Sequence, residues 1–308
     1  MNFIIEAKRP KPNMSNIIEA NGPKPKHLTI GRIGLYCFIL MCALFFLMPL
    51  YVMIITSLKD MDEIRSGNLL YIPKILSLYS WPKAWSEACT GFVCEGLRPG
   101  LINSLKITIP SVIVSVSLGA LNGYALAFWR FKGAYFFFGL CLFGAFIPYQ
   151  VMVYPLLKIE SAIGIYSSLP GIILVHTIFG MPILTLIFRN FYASLPIDLF
   201  KAARIDGGNF LKIFFYVIIP MSTPITIVAI ILQVTGIWND FLLGLIFAGR
   251  DNQPMTVQLN NIVQVDFGVA EYNVDMAATI LTSIVPLAVY FLSGRWFVRG
   301  IAAGAIKG

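Results

Sequence analysis

The sequence predicts an all-α protein that crosses a membrane six times. Three observations carry this expectation. Apolar residues make up 57% of the 308 residues and charged residues only 12%, whereas a soluble domain carries about 25% charged residues. The apolar residues gather into six blocks, each long enough to cross a hydrocarbon layer about 30 Å thick. The charges fall between those blocks with a constant bias. With the N-terminus inside, the cytoplasmic segments sum to +11 and the outer ones to −3, within a net charge of +8. Every cytoplasmic segment is then positive, as membrane topology favours, and both ends of the chain are cytoplasmic.

Residues 1–31 are polar, with Lys8, Arg9, Lys11, Lys24 and Lys26 among four prolines, and read as a disordered cytoplasmic tail. Residues 32–97 combine the first span, at 33–56, with a long external loop. That span exceeds the apolar core of a signal peptide and lacks a small-residue cleavage site, so it reads as a retained helix. Trp81 and Trp85 in the loop mark an interfacial amphipathic segment. Residues 98–297 form a five-span core, with spans expected at 102–128, 135–157, 169–191, 214–247 and 276–296. Pro148 and Pro155 fall within or near the end of the third span, and the length of the fifth fits a tilted or broken helix. Residues 248–273 read as a polar loop, and 298–308 as a cytoplasmic tail.

Between the fourth and fifth spans lies a polar island, LPIDLFKAARIDGGNFLKIFFYVIIP, from Leu195 to Pro220. Pro196 suits a helix start, and Asp198 in the first turn suits the positive end of the helix dipole. Ala202 and Ala203 are small enough for another backbone to approach. Gly207 and Gly208 end the helix. A short helix that leaves the membrane, turns at glycine and re-enters has the form of a docking element within loop 194–213.

The residues exclude several chemistries. No G-x-x-x-x-G-K-[ST] phosphate loop is present. The only histidines are His27 and His176, and no Cys/His/carboxylate cluster has metal-ligand spacing. No catalytic residue, cofactor or metal is therefore expected. The positive charge is spread as topology rather than as a nucleic-acid patch. Cys37, Cys42 and Cys141 lie in apolar segments, while Cys89 and Cys94 share the external loop and either pair or stay reduced. His176 either packs or faces a cavity.

One intramembrane polar cluster stands out: Gln233, Trp238, Asn239 and Asp240. Amide, carboxylate and indole suit a sugar, whose hydroxyls take hydrogen bonds and whose C–H edges take an aromatic face. The same groups also serve as contacts between helices. The cluster is thus a candidate translocation path, with helix packing as the other reading.

The polar island also resembles the EAA loop of ATP-binding-cassette (ABC) importer permeases, which reads Glu-Ala-Ala, three residues, Gly, nine residues, Ile-x-Leu-Pro. Ala202, Ala203, Gly207, Val217, Ile219 and Pro220 fall at those intervals. Lys201 stands where glutamate is usual. Trp238-Asn239-Asp240-Phe241, Thr56-Ser57-Leu58-Lys59 and the stretch from Gly294 to Gly300 are similar to permeases of maltose-type carbohydrate importers. The resemblance implies a type I ABC importer transmembrane domain in a bacterial inner membrane. It implies four kinds of partner: a second, homologous permease, two ABC ATPase subunits, an extracytoplasmic sugar-binding protein and membrane lipid. It assigns Lys201, Ala202, Ala203, Arg204, Asp206, Gly207 and Pro220 to coupling with the ATPases, and ATP hydrolysis to those partners. Lys201 reverses the sign of one expected contact. A secondary, ion-coupled transporter is the alternative; it needs intramembrane carboxylates, of which Asp240 is the main candidate. A membrane enzyme and a non-transporting scaffold are the remaining rivals.

Overall fold

The computed structural model describes residues 30–90, 93–129, 131–264 and 270–305, with the backbone alone from 295 onward. The expected N-terminal tail, Arg130 of the basic turn and the last three residues lie outside the described residues, as do the side chains of the C-terminal stretch. The chain divides into two units, residues 1–51 and residues 52–308. The first contributes most of helix α1, Ile30–Ser57.

In the second unit, short helices α2 (Met61–Arg65) and α3 (Ser80–Ser86) precede α4 (Arg98–Phe128). Helices α5 (Ala134–Phe146) and α6 (Tyr149–Ile163) are followed by α7 (Leu169–Ala193) and α8 (Ile197–Ile205). Next come α9 (Phe210–Ile213), a π turn (Phe214–Ile218), α10 (Ile219–Met221) and α11 (Thr223–Trp238). Helices α12 (Leu242–Phe247), α13 (Met255–Val263) and α14 (Tyr272–Ala305) complete the order. Among the described residues, four helices are long and apolar enough to cross a membrane, and two bent pairs bring the number to six.

The bent pairs correct one expectation and meet another. The third span is not one helix: α5 and α6 meet at an angle of 108°. Ile147 is extended before Pro148, as the proline ring requires of its predecessor. The fifth span breaks between Met221 and Thr223, with a bend of 82°. Pro220 and Pro224 each lack an N–H for the helix ladder. At the break, Ser222 Oγ donates to the Ile219 carbonyl at 2.9 Å. The polar stretch 248–273 also departs from a plain loop, because α13 forms within it and buries Met255, Val257 and Ile262.

Helices α4 and α7 form the central pair. Ser111, Ser115, Gly119 and Gly123 recur every four residues along α4, and all are buried. This spacing puts them on one face, and their size lets α7 approach closely. A Cβ at Gly119 would stand 2.6 Å from Leu184 Cβ, and one at Gly123 would stand 2.7 Å from the Arg189 backbone nitrogen. Ile172, Val175, Leu184, Phe188 and Tyr192 of α7 are buried in the core that results.

A second, smaller core joins α3, the start of α4, α13 and α14 through Ala84, Leu97, Ile262, Val274 and Ala277. Trp81 and Trp85 pack against this core, so the tryptophans expected at the membrane interface turn inward instead. Lys83 pairs with Glu271 at 2.6 Å. The hydrogen bond to Glu271 raises the Lys83 pKa above its ordinary 10.5. Lys83 therefore keeps its proton at neutral pH, and the stabilisation tied to that proton is lost as pH climbs through the raised value. Gly100 N–H donates to Gln258 Oε1 at 2.7 Å, and Asn103 Nδ2 to the Asp251 carbonyl at 3.0 Å, tying the 248–264 segment to the start of α4. Cys89 and Cys94 form a disulfide.

Substituting Gly123→Val inserts a branched side chain against the α7 backbone. It should cost about 1–3 kcal/mol through overpacking, read as a lower midpoint of thermal unfolding in detergent; Gly139→Val, where a Cβ meets nothing within 4 Å and the backbone is helical, is the control for glycine replacement.

Candidate functional site

The polar island folds into a nine-residue helix, α8, closed at both ends by local chemistry. Pro196 stands at the N-cap, one position before the first helical residue, and Asp198 lies in the first turn. At the other end Gly207 has φ +79°. Its N–H donates to the Arg204 carbonyl at 3.1 Å, and the Gly208 N–H to the Ala203 carbonyl at 2.9 Å. This pair of bonds is the Schellman closure, and it needs a left-handed residue at the first position. Asn209 Oδ1 then accepts from the Lys212 N–H at 2.8 Å and caps the next turn.

One side of α8 is fixed. Phe200 is buried and stacks on Phe128 with ring centroids 4.8 Å apart and planes inclined by 13°. Tyr124 packs on Phe210 at 4.8 Å and on Phe214 at 5.3 Å, and Trp129 packs on Phe210 at 5.1 Å. The Tyr124 hydroxyl donates to the Phe210 carbonyl at 3.2 Å. Six aromatic side chains thus bind α8 and α9 to the end of α4. The sequence reading missed this base because its members resemble ordinary span filler. One signal was available: Phe200 is the only aromatic between Tyr192 and Phe210.

The other side is free. Lys201, Ala202, Arg204, Asp206 and Gly207 are exposed, Ala203 is half-buried against the core, and Ile205 is 85% exposed. Lys201 Nζ lies 3.3 Å from Asp198 Oδ1, three residues back on the same helix, with both side chains largely in solvent. The Arg204 guanidinium sits 4.9 Å from the Trp129 ring centroid. Pro220 does not join this surface; it lies in α10 at the bend.

The polar cluster lies elsewhere, around a cavity of about 610 Å³ walled by the α5–α6 corner, α7, α11 and α12. Gln233, Asn239 and Asp240 line it together with His176, Gly180 and Tyr149. Gln233 Nε2 points to the His176 carbonyl at 3.5 Å. Gly180 lies so near this amide that a Cβ there would overlap it. Asp240 Oδ2 accepts from the Gly244 N–H at 3.0 Å and so caps α12, while the Asp240 carbonyl accepts from Thr256 Oγ1 at 2.7 Å. Trp238 corrects the expectation of a four-residue group. It is buried in the second core, and its indole N–H donates to the Thr282 carbonyl at 3.0 Å. A buried indole takes the orientation that satisfies its donor. The cavity therefore presents amide, carboxylate and imidazole groups among apolar walls, a composition that orients a polar solute. Among the described residues, no three His, Cys, Asp or Glu side chains are grouped to hold a metal ion.

Residues 99–303 match the binding-protein-dependent transport system inner membrane component family. The chain belongs to that family. Among its relatives, the osmoprotective compounds uptake permease protein GgtD of Synechocystis is 34% identical over 69% of this chain and 72% of its own length. The arabinooligosaccharides transport system permease protein AraQ of Halalkalibacterium halodurans is 31% identical over 91% of this chain and 96% of its own. A chain from the crystal structure of a bacterial ABC transporter that imports the acidic polysaccharide alginate superposes with a TM-score of 0.74 at 20% identity, covering 89% of this chain and 100% of that one. This likeness carries the fold, that of a type I ABC importer transmembrane domain. The protein is thus a multi-pass ABC importer permease.

Phe200→Ala removes the side chain that seats α8. It should loosen the helix by about 3–5 kcal/mol, seen as faster amide hydrogen exchange across 197–207 with α7 unchanged.

Proposed function

We propose that this permease is the transmembrane subunit of an ATP-driven, binding-protein-dependent carbohydrate importer of a bacterial inner membrane, with α8 as its coupling helix. The observation that carries the reading is the two-sided character of α8. A rigid aromatic base holds one face to the end of α4, and the opposite face, with exposed apolar Ile205 and small Ala202, stands free. A helix held rigidly on one side and presented on the other transmits a push as a rigid body. Ala202 and Gly207 let a groove in an ATPase approach closely, Ala203 lets α8 seat closely on its own core, and Arg204 and Asp206 offer polar pairing at the rim. Pro220 acts at the bend instead, where the arm that bears the loop meets α11. Both termini and loop 194–213 lie on the cytoplasmic side in this reading, in agreement with the charge bias.

The importer contains a second, homologous permease, two ABC ATPase subunits and an extracytoplasmic sugar-binding protein. Nucleotide shifts the pair of permeases between inward- and outward-open states only to the extent that the ATPases bind the two states differently. Gln233, Asn239 and Asp240 contribute to the solute path through the cavity, and Trp238 supports them from behind. The names of relatives such as AraQ support a carbohydrate as solute.

Gly207→Val tests the coupling role. The glycine has φ +79° and open space at its Cβ position, so the variant strains only the closure of α8, by about 1 kcal/mol or more. Binding-protein-stimulated ATPase activity and uptake should both fall at least about tenfold, the equivalent of 1.4 kcal/mol, while insertion and assembly persist. Uptake at the wild-type rate in proteoliposomes would remove the coupling role. Lys201→Glu breaks an exposed pair and should change stability by less than about 0.5 kcal/mol; a loss of ATPase association without loss of stability identifies Lys201 as a contact residue.

A further inference from the structure

Between α2 and α3, residues 66–79 form neither helix nor strand. The stretch is nevertheless strongly apolar, and its apolar side chains point outward: Leu69, Tyr71, Ile72, Ile75, Leu76 and Leu78 are 54% to 74% exposed. Both ends are fastened to the residues that end or follow α1. Lys59, only 1% exposed, donates from Nζ to the Asn68 carbonyl at 3.0 Å. The Ser77 N–H donates to the Leu58 carbonyl at 3.0 Å, and the Ser80 hydroxyl to the Ser57 carbonyl. Asn273 of α14 holds Lys59 in turn through its carbonyl, at 3.0 Å. The stretch is therefore a strap held at the level where α1 leaves its apolar zone.

Two physical constraints locate such a strap. A continuous exposed apolar surface of this kind is not stable against water. An irregular backbone is equally excluded from hydrocarbon, where unpaired N–H and C=O groups find no partner. The boundary between acyl chains and headgroups satisfies both. The polar residues of the strap suit that boundary: Tyr71 and Tyr79 have ring bodies with polar tips, and Lys74 carries a charge on a long stem. Lys83 Nζ lies 5.2 Å from the Tyr79 ring centroid and donates to its hydroxyl at 3.1 Å. Trp81 and Trp85, the residue type most expected at this boundary, are engaged in the second core and leave the role to the strap.

We propose that residues 69–78 bind the membrane interface, with Ile72, Ile75 and Leu76 among the acyl chains and the backbone among the headgroups. The occupant is lipid rather than protein because the anchor points continue the end of a membrane-spanning helix, which sets the depth of the strap. The inference does not rest on the transport reading; it holds for any function of the chain.

The test places a p-benzoylphenylalanine photoprobe at Ile72, and separately at Ile75, in the assembled transporter in lipid nanodiscs, with a probe at Leu44 inside α1 as the reference. After irradiation, intact-mass analysis should show this chain heavier by one phospholipid, with a yield comparable to that at Leu44. A crosslink to another polypeptide instead, or no adduct where Leu44 gives one, overturns the proposal. A second reading uses the unmodified chain. The strap should be protected from a water-soluble, membrane-impermeant radical footprint in nanodiscs and should lose that protection in short-chain detergent; equal labelling in both media also overturns it.

Discussion

The close contact between α4 and α7 is the constraint on which the rest of this permease depends. Lipid tails are as apolar as leucine, so helices in a bilayer gain little from burying apolar surface against one another, and contact distance decides. The Ser111–Ser115–Gly119–Gly123 stripe supplies that distance. Once the pair is set, the end of α4 can carry Tyr124, Phe128 and Trp129 to the base of α8, and α7 can carry His176 and Gly180 to the cavity wall. Both regions of interest therefore hang from one interface, the base of α8 from the end of α4 and the cavity wall from the middle of α7.

The broken helices serve the second region. Irregular backbone at membrane depth is tolerated where it lines a cavity, and two breaks, at Ile147–Pro148 and at Asn239–Phe241, both contribute to the same cavity wall. The carboxylate of Asp240 illustrates the economy of the arrangement. It caps α12 through Gly244 while its residue lines the cavity, so one side chain both holds a helix start and colours the electrostatics of the space.

Much of this was legible in the sequence. The apolar blocks and the glycines of the polar island gave the helical membrane fold and the position of α8, because length and turn chemistry are properties of single segments. Gln233, Asn239 and Asp240 were also recognisable as a group, since polar side chains within an apolar block are conspicuous. What escaped were relations between segments. The aromatic base joins residues nearly eighty positions apart, from Tyr124 to Phe200, and the isolation of Phe200 among polar neighbours does not say which residues it meets. Trp238 follows its indole N–H to a carbonyl on α14, which a reading of α11 alone cannot see. The prolines of the third span were evident, but an angle of 108° is decided by what lies on either side of the corner. Trp81 and Trp85 have interfacial chemistry, and only the packing of α3 on α14 turns them inward.

The π turn at Phe214–Ile218 has a consequence for inheritance along the chain. A wide turn holds one residue more than its α counterpart, so the arm before it is out of phase with the arm after it by about 100°, one residue's rotation. Phe210 and Phe214 can therefore face the end of α4 while α10 carries Pro220 outward to the bend before α11. Evolution can retune the face presented by either arm by gaining or losing a single codon, without redrawing the sequence pattern of the other.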